Sequence, residues 1–455
     1  MELLRRLSGS HQVIALTRSS LAAPHLPAHK NSGIYWVQCN LFSLKQTETA
    51  LQDAQFAYFL VHSMSPAARL TQGQYNDLDL LIADNFSRAA SSAGVRRIVY
   101  LGGIQPIGKK ISDHLRSRLE VEQVLNSRSA GFVALRAGLI LGAGGSSSSI
   151  LVRLVQRLPV LVCPSWTLKL SSPISLSDTA DALVESLNES RVESGSYDLK
   201  GPEVISYRSL MERTADELNV RRFFIPFIAV PPRLSLLWVR LITGASKELA
   251  APLIQSLLID MLPGKTAPIF EHTTAKIRLT LALHQAELPP VRLAIGRPDS
   301  SHTPRAPEED SVVSIQRLPL PEKWTAIDIA VDYAEWLSKF MRPFLRIAYT
   351  DDRSVLSFIL RGWNQPLLVL GYVAERSDAQ RALFFVRGGV LRKKGSNPAS
   401  RLEFRICTRQ NAVLAAVLDF HPALPWPVYI VTQSIAHRIV MWRYSARLKK
   451  ISKRT

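Results

Sequence analysis

Cysteine is scarce. Cys39, Cys163 and Cys407 are the only three in 455 residues, too few and too scattered for a disulfide framework or a C-x-x-C metal or redox motif. Long apolar runs are missing too. The longest apolar stretches, Leu151 to Cys163 and Leu234 to Ile242, are broken by Arg153, Arg157 and Arg240, so neither supplies the roughly 20 uninterrupted apolar residues of a membrane span. The opening residues, Met1-Glu2-Leu3-Leu4-Arg5-Arg6, lack the apolar core of a secretion signal. These absences argue against a multi-span membrane protein, a disulfide-stapled secreted module and a structural zinc site. No metal site is expected, since His421 and His437 stand without spaced partners, and the expected location is cytoplasmic.

Acidic residues are also in short supply: 37 Asp and Glu face 56 Lys and Arg, a formal net charge of +19. Such a surplus attracts any polyanion. No nucleic-acid module accompanies it, so no specific nucleic-acid partner is expected. At the end of the chain Arg438, Arg443, Arg447, Lys449, Lys450, Lys453 and Arg454 run without an acidic residue between them. Just before and among them, Val431, Ile435, Ile439, Trp442 and Leu448 recur at approximate helical spacing. A long C-terminal helix is expected, its apolar face packed on a sheet. Arg438 to Thr455 would then make at most salt-screened, peripheral contacts with an anionic membrane.

What is plentiful is short apolar runs at βαβ spacing. Strands are expected at Gln12 to Leu16, Ile34 to Gln38, Phe56 to Val61, Arg97 to Leu101 and Gly131 to Leu135, with helices at Tyr75 to Ala93 and His114 to Asn126. This pattern predicts a doubly wound parallel α/β sheet, with a smaller lobe over about residues 146–285. Pro289, Pro290, Pro298, Pro304 and Pro307 mark a proline-rich linker at 286–312. Beyond it, strand-like runs at Val355 to Leu360, Leu367 to Tyr372, Ala382 to Arg387, Arg401 to Thr408 and Val413 to Phe420 predict an α+β domain, 313–455, with an antiparallel sheet and the long terminal helix. Trp336, Trp363, Trp426 and Trp442 with Tyr429 and Tyr444 are expected chiefly as core, or else as the lining of an apolar cavity.

Several stretches carry a resemblance. Ala15-Leu16-Thr17-Arg18-Ser19, Leu60-Val61-His62-Ser63-Met64, the run from Ala93 to Gly103, His114-Leu115-Arg116-Ser117-Arg118, Leu135-Arg136-Ala137-Gly138 and the run from Gly201 to Tyr207 occur in co-linear order. Together they resemble the atypical, NmrA-like branch of the extended short-chain dehydrogenase/reductases, over residues 1–285. The last third is similar to an extension found on some of those proteins, with a helix-grip fold as the implied architecture.

The resemblance implies a Rossmann-like fold and a nicotinamide dinucleotide bound at the carboxyl ends of the strands. Arg18 matches the position where a cation favours the 2′-phosphate of NADP, so NADP is expected over NAD. Asn40 and Leu41 stand at the adenine, and His62, Ser63 and Gly102 along the nicotinamide side. Met1 to Leu7 aligns with the end of the helix that follows the glycine-rich turn. The first strand and its glycines are therefore absent from this sequence, and a gene start placed too far downstream is the expected explanation. A degenerate fold that no longer binds dinucleotide is the alternative.

Catalytic members of the family pair a Tyr with a Lys four residues on, so that the cation lowers the phenol pKa. Here His114 and Arg118 hold those places, and Gly102 or Gly103 replaces the helper serine. His114 is the acid–base candidate, and Arg118 cannot deliver protons. Gly142-Ala143-Gly144-Gly145 lacks the Lys-Ser/Thr end of a phosphate loop and is expected as a cleft loop. The expected function is an NAD(P)-dependent oxidoreductase or epimerase-like enzyme acting on a small, mainly apolar substrate. A non-enzymatic NAD(P) sensor or assembly factor, or a carrier of apolar ligands through the C-terminal domain, are the alternatives. The oligomeric state is not legible.

Overall fold

The computed structural model describes residues 1–18, 33–62, 70–106, 111–142, 145–227, 255, 257–264, 270, 311–351, 354–396 and 398–453. The chain divides into two units, Met1–Met64 with Ile82–Thr303, and Ser65–Leu81 with Pro304–Thr455. The linker expected at 286–312 lies outside the described residues except for its last two.

In the first unit, a short helix α1 (Glu2–Leu7) precedes a parallel pair, β1 (Val13–Thr17) and β2 (Ile34–Gln38), and helix α2 (Leu44–Leu51) follows. Arg6 in α1 donates to Asp181 Oδ1 at 2.6 Å. Next in the chain come β3 (Phe56–Phe59), then β4 (Leu70–Gln72) and the start of helix α3 (Tyr75–Ser92), which belong to the second unit up to Leu81, and then β5 (Arg97–Gly103), helix α4 (Asp113–Leu125) and β6 (Phe132–Ala137). With β11 (Gly195–Asp198), three of these strands make a parallel four-stranded sheet in the order β11-β6-β5-β3. Ile98, Val99, Val133, Ala134 and Leu135 are all buried, as the continuous apolar runs of a sheet covered on both faces require. This is the Rossmann-like, doubly wound α/β arrangement expected from the sequence.

Among the described residues no strand hydrogen-bonds β1 to β3, so the pair β1–β2 stands apart from the four-stranded sheet. Helix α3 holds on to both. Its Asn85 donates to the carbonyls of Leu41 (2.8 Å) and Phe42 (3.0 Å) after β2, while its Phe86 packs edge-on against Phe59 of β3, with ring centroids 5.1 Å apart. The helix stops at Gly94, which adopts φ 69°, and Val95 N–H closes the end on the Ala90 carbonyl at 2.9 Å.

The chain after β6 adds helices α5 (Ser146–Arg157), α6 (Leu176–Glu185) and α7 (Tyr207–Glu217) and short strand pairs; Ala182 and Leu183 of α6 pack with Val99 and Val133 of the main sheet, whereas α5 and α7 share a smaller cluster. These pairs are β7 (Ile140–Leu141) with β10 (Ile174–Ser175), β8 (Val160–Pro164) with β13 (Phe223–Phe227), and β9 (Leu170–Ser171) with β12 (Ile205–Ser206). Leu151, Val155, Leu161, Leu210 and Met211 belong to that smaller cluster.

The second unit is one eight-stranded sheet. Strand β14 (Val312–Pro319) leads to helix α8 (Ala326–Phe340), then β15 (Leu345–Tyr349), β16 (Val355–Leu360), β17 (Pro366–Tyr372), β18 (Arg381–Gly388), β19 (Arg401–Cys407) and β20 (Ala412–Phe420). The last six form an antiparallel meander, β14 closes on β20, and β4 adds in parallel to β14. Residues 65–81 thus belong here, although the sequence reading kept them with the first domain. Arg317 of β14 donates to Asp77 at 2.7 Å. Helix α8 starts on a capping box, Thr325 with Asp328.

The chain ends in two helices, α9 (Trp426–Val431) and α10 (Gln433–Ser452), separated at Thr432 by φ −117° and ψ −82°. Here the expected packing is overturned. Val431, Ile435, Ile439 and Trp442 are 64, 46, 50 and 64% exposed, while Met441, Tyr444 and Leu448 are buried. The helix carries two apolar faces, and the one with Tyr444 wins because its polar tip is satisfied: Tyr444 Oη donates to the Ile329 carbonyl at 3.0 Å, and Arg447 pairs with Asp332 at 2.6 Å. Tyr444, Tyr333, Trp336 and Phe404 pack together, with ring centroids 5.0–5.6 Å apart between Tyr333 and Tyr444, Trp336 and Tyr444, and Tyr333 and Phe404. Trp426 packs on Tyr429 at 5.8 Å. Trp363 and Trp442, by contrast, face solvent, so the expected aromatic set divides into core and surface.

The opposite face of β19 buries charge. Glu403, 1% exposed, receives Arg381, Arg401 and Arg405 at 2.8–3.1 Å. Burial works against the Glu403 carboxylate, but the three guanidiniums overcome it and hold its pKa well below the usual range.

Candidate functional site

Ligands in doubly wound sheets sit at the carboxyl ends of the parallel strands. Two groups of the expected residues stand there. His62 follows β3, Gly102 is the next-to-last residue of β5, and His114 sits in the first turn of α4. Ser112 caps that helix by accepting the Leu115 N–H at 3.3 Å, and Gln105 ties the β5–α4 loop back by donating to the Gly103 and Leu115 carbonyls at 3.1 and 3.3 Å. The result brings the His62 and His114 rings together, with centroids 5.4 Å apart and planes inclined by 42°. Both rings are half-buried.

Arg118 follows His114 by one helical turn, and its backbone carbonyl accepts the Tyr100 hydroxyl at 3.2 Å. Tyr100 also explains Gly102. A Cβ at Gly102 would fall 2.8 Å from Cε1 of the Tyr100 ring, which fills the same face of β5 two residues earlier. A serine side chain therefore has no room there without moving the ring.

The other group stands at the ends of β1 and β2. Arg18 is exposed, and its carbonyl accepts the Gln38 side chain at 3.4 Å. The Asn40 side-chain carbonyl accepts the Phe42 N–H at 3.1 Å, and its own N–H donates to Gln46 at 2.8 Å. Leu41 is half-buried and anchored through its carbonyl to Asn85. Ser63 lies outside the described residues, as do Ala143 and Gly144 of the glycine-rich loop. Among the described residues no cluster of three or more His, Cys, Asp or Glu side chains forms a metal site.

Sequence reasoning missed a charged network beside this site. Arg136, near the end of β6, makes a two-pronged bond to Glu122 of α4, at 2.9 and 2.6 Å, and Ser196 donates to the same carboxylate at 2.6 Å. Asp198, the last residue of β11, lies 4.0 Å from Arg136 and accepts the Gly264 N–H at 2.7 Å. Burial pushes the Asp198 carboxyl above its ordinary pKa. These residues are far apart in the chain, and only the adjacency of β6 and β11 unites them.

No family model matches the chain. Auxiliary protein GraX of Staphylococcus aureus (strain NCTC 8325 / PS 47) is 35% identical over 68 residues, which is 15% of this chain and only 22% of that relative's length. Triphenylmethane reductase of Citrobacter sp. shares the fold with a TM-score of 0.50 at 16% identity, covering 63% of this chain and 93% of its own. A nucleoside-diphosphate-sugar epimerase from Staphylococcus aureus gives a TM-score of 0.49 at 12% identity, covering 62% and 95%. The reductase likeness bears on the fold, and agrees with the Rossmann-like sheet described above.

Arg18 and Asn40 offer a cation and an amide after β1 and β2, and the paired imidazoles offer polar rings after β3 and at the start of α4. The glycine-rich turn that would cradle the pyrophosphate is not among residues 1–455.

Proposed function

We propose that this protein binds a nicotinamide dinucleotide at the carboxyl ends of its parallel strands, as an atypical short-chain dehydrogenase/reductase of the NmrA-like kind. Its reaction would be oxidoreductase or epimerase-like chemistry on a small, mainly apolar substrate. The observation that carries this reading is the meeting of His62 and His114 on neighbouring β–α connections of a Rossmann-like sheet. NADP is the preferred cofactor, because Arg18 supplies a charge-assisted contact for a 2′-phosphate. Asn40 and Leu41 would hold adenine, and His62, Ser63 and Gly102 would border the nicotinamide, which supplies or accepts the hydride. His114 exchanges the proton with the substrate, and Arg118 orients and electrostatically supports it.

A second reading has its own observation. Tyr100 closes the helper-serine position at Gly102, and its hydroxyl is committed to the Arg118 carbonyl. A site without the Tyr, Lys and Ser of the catalytic members is suited to sensing the dinucleotide without turning it over. Measuring NADPH binding and NADPH oxidation against a panel of small carbonyl compounds separates the two. The enzyme reading predicts turnover that falls on the order of 100-fold in His114→Ala with NADPH affinity retained. Binding without turnover establishes the sensor reading, and a folded protein that binds neither NADPH nor NADH overturns both.

A further inference from the structure

The overturned packing of α10 exposes a surface that the sequence alone concealed. A helix of 20 residues is about 30 Å long. One face is fixed to the second unit through Met441, Tyr444 and Leu448. The opposite face presents Ile435, Ile439 and Trp442 at i, i+4 and i+7, all exposed. Val428, Ile430 and Val431 of α9, also exposed, adjoin this stripe in sequence. Each of these side chains leaves apolar area in water that burial would recover.

The flanks of the stripe have one sign of charge. Arg438 and Lys449 lie on one side of it around the helix and Arg443 and Lys450 on the other, all four exposed. Arg443 rests over the Trp442 ring at 5.2 Å. From Phe420 to Thr455 the sequence contains seven Lys and Arg and no Asp or Glu. Among the described residues no helix is long and apolar enough to cross a membrane.

We propose that this helix is a preformed docking face for an anionic phospholipid membrane. It lies flat in the interface, with Ile435, Ile439 and Trp442 inserted among the acyl chains and the flanking cations at the lipid headgroups. Charge complementarity selects the occupant. An apolar stripe bordered on both sides by cations, with no acid in the last part of the chain, matches a surface that is apolar beneath and anionic above. The opposite helix face keeps the insertion shallow, because Tyr444 and Arg447 bind it to α8 through Asp332. This proposal is independent of the dinucleotide reading.

The test is co-sedimentation of the full chain with vesicles of neutral lipid alone and with about 30% anionic phosphatidylglycerol, at about 0.1 and about 0.5 M salt. Binding is expected to anionic vesicles and to persist in part at the higher salt. It should fall on the order of tenfold or more in Ile435→Ser/Ile439→Ser and in Arg438→Gln/Arg443→Gln/Lys449→Gln/Lys450→Gln. All these side chains are exposed, so melting temperatures should stay unchanged and report that the variants are folded. Quenching of tryptophan fluorescence by brominated acyl chains should diminish in Trp442→Ser. Absence of binding by the folded chain, binding abolished by salt alone, or equal binding by the Ile435→Ser/Ile439→Ser variant would each overturn the proposal. So would a stable dimer that shields Trp442 and ignores vesicles.

Discussion

In the first unit the described parallel strands fall into three separate pairs and a set of four, whereas in the second unit eight strands hydrogen-bond in one unbroken order. Parallel neighbours need long crossovers, so the first unit depends on helices to hold strands that do not touch. Antiparallel neighbours are joined by hairpins, and the meander from β15 to β20 extends by local steps. The two units also treat buried charge differently. Arg97, at the start of β5, donates to the Ser186 and Val192 carbonyls at 2.8 and 2.7 Å, whereas Glu403 is held by three arginines. One is a cation held by backbone carbonyls, and the other is an anion whose removal leaves several cations facing one another.

This contrast can be broken from either side. The largest effect is expected in the second unit: Glu403→Gln should lower its stability by about 3–5 kcal/mol, because buried guanidiniums lose their counter-charge. Urea unfolding followed by circular dichroism reads this, and a loss under about 1 kcal/mol would show that the arginines find other partners. In the first unit, Phe86→Ala should cost about 3–4 kcal/mol by opening a cavity beside Phe59. The comparison predicts that the two substitutions act on separate unfolding transitions in a calorimetric scan. A single transition moved equally by both would erase the distinction between the units.

A smaller effect concerns acid. Burial in the second unit lowers the His437 pKa to about 4, against 6.5 for the free side chain. The unfolded chain therefore binds a proton that the folded chain refuses between these values, and stability falls as the pH drops from about 6.5 towards 4. The expected loss is about 2–3 kcal/mol, abolished in His437→Gln. Identical pH dependence in the variant would assign the acid sensitivity elsewhere. The smallest effect is Asn85→Ala, which leaves the Leu41 and Phe42 carbonyls without this donor and should cost about 1–2 kcal/mol. Hydrogen exchange should then rise in β1 and β2 before β5 and β6.

Legibility in the sequence followed the same division. Ile34 to Gln38 and Arg97 to Leu101 announce strands because apolar, β-branched runs between helical periods allow little else, and the structure has them within a few residues. The pairing of Leu70–Gln72 with β14 was not legible, since three residues join a partner some 240 positions away. Nor was the rotation of α10, because two apolar stripes satisfy the same spacing and only the bonds of Tyr444 and Arg447 to α8 decide between them. In the candidate site, His62 and His114 were identified from a resemblance, and their meeting is the contribution of the fold. Gly102 was legible as a departure, but its cause, the Tyr100 ring, was not. The bond between Glu122 and Arg136 gave no local signal at all, being made across a helix and a strand.

The dinucleotide assignment rests on Arg18 at one end of the site and on the paired imidazoles at the other. Calorimetric titration with NADPH and NADH tests it most directly, on the 455-residue chain with and without Arg18→Ala. Where binding is measured, NADPH should be tighter than NADH, and Arg18→Ala should weaken NADPH by about 1.5–3 kcal/mol while leaving NADH nearly unchanged. Equal affinities for the two dinucleotides, an Arg18→Ala variant that keeps the preference, or no binding by the folded chain would contradict it.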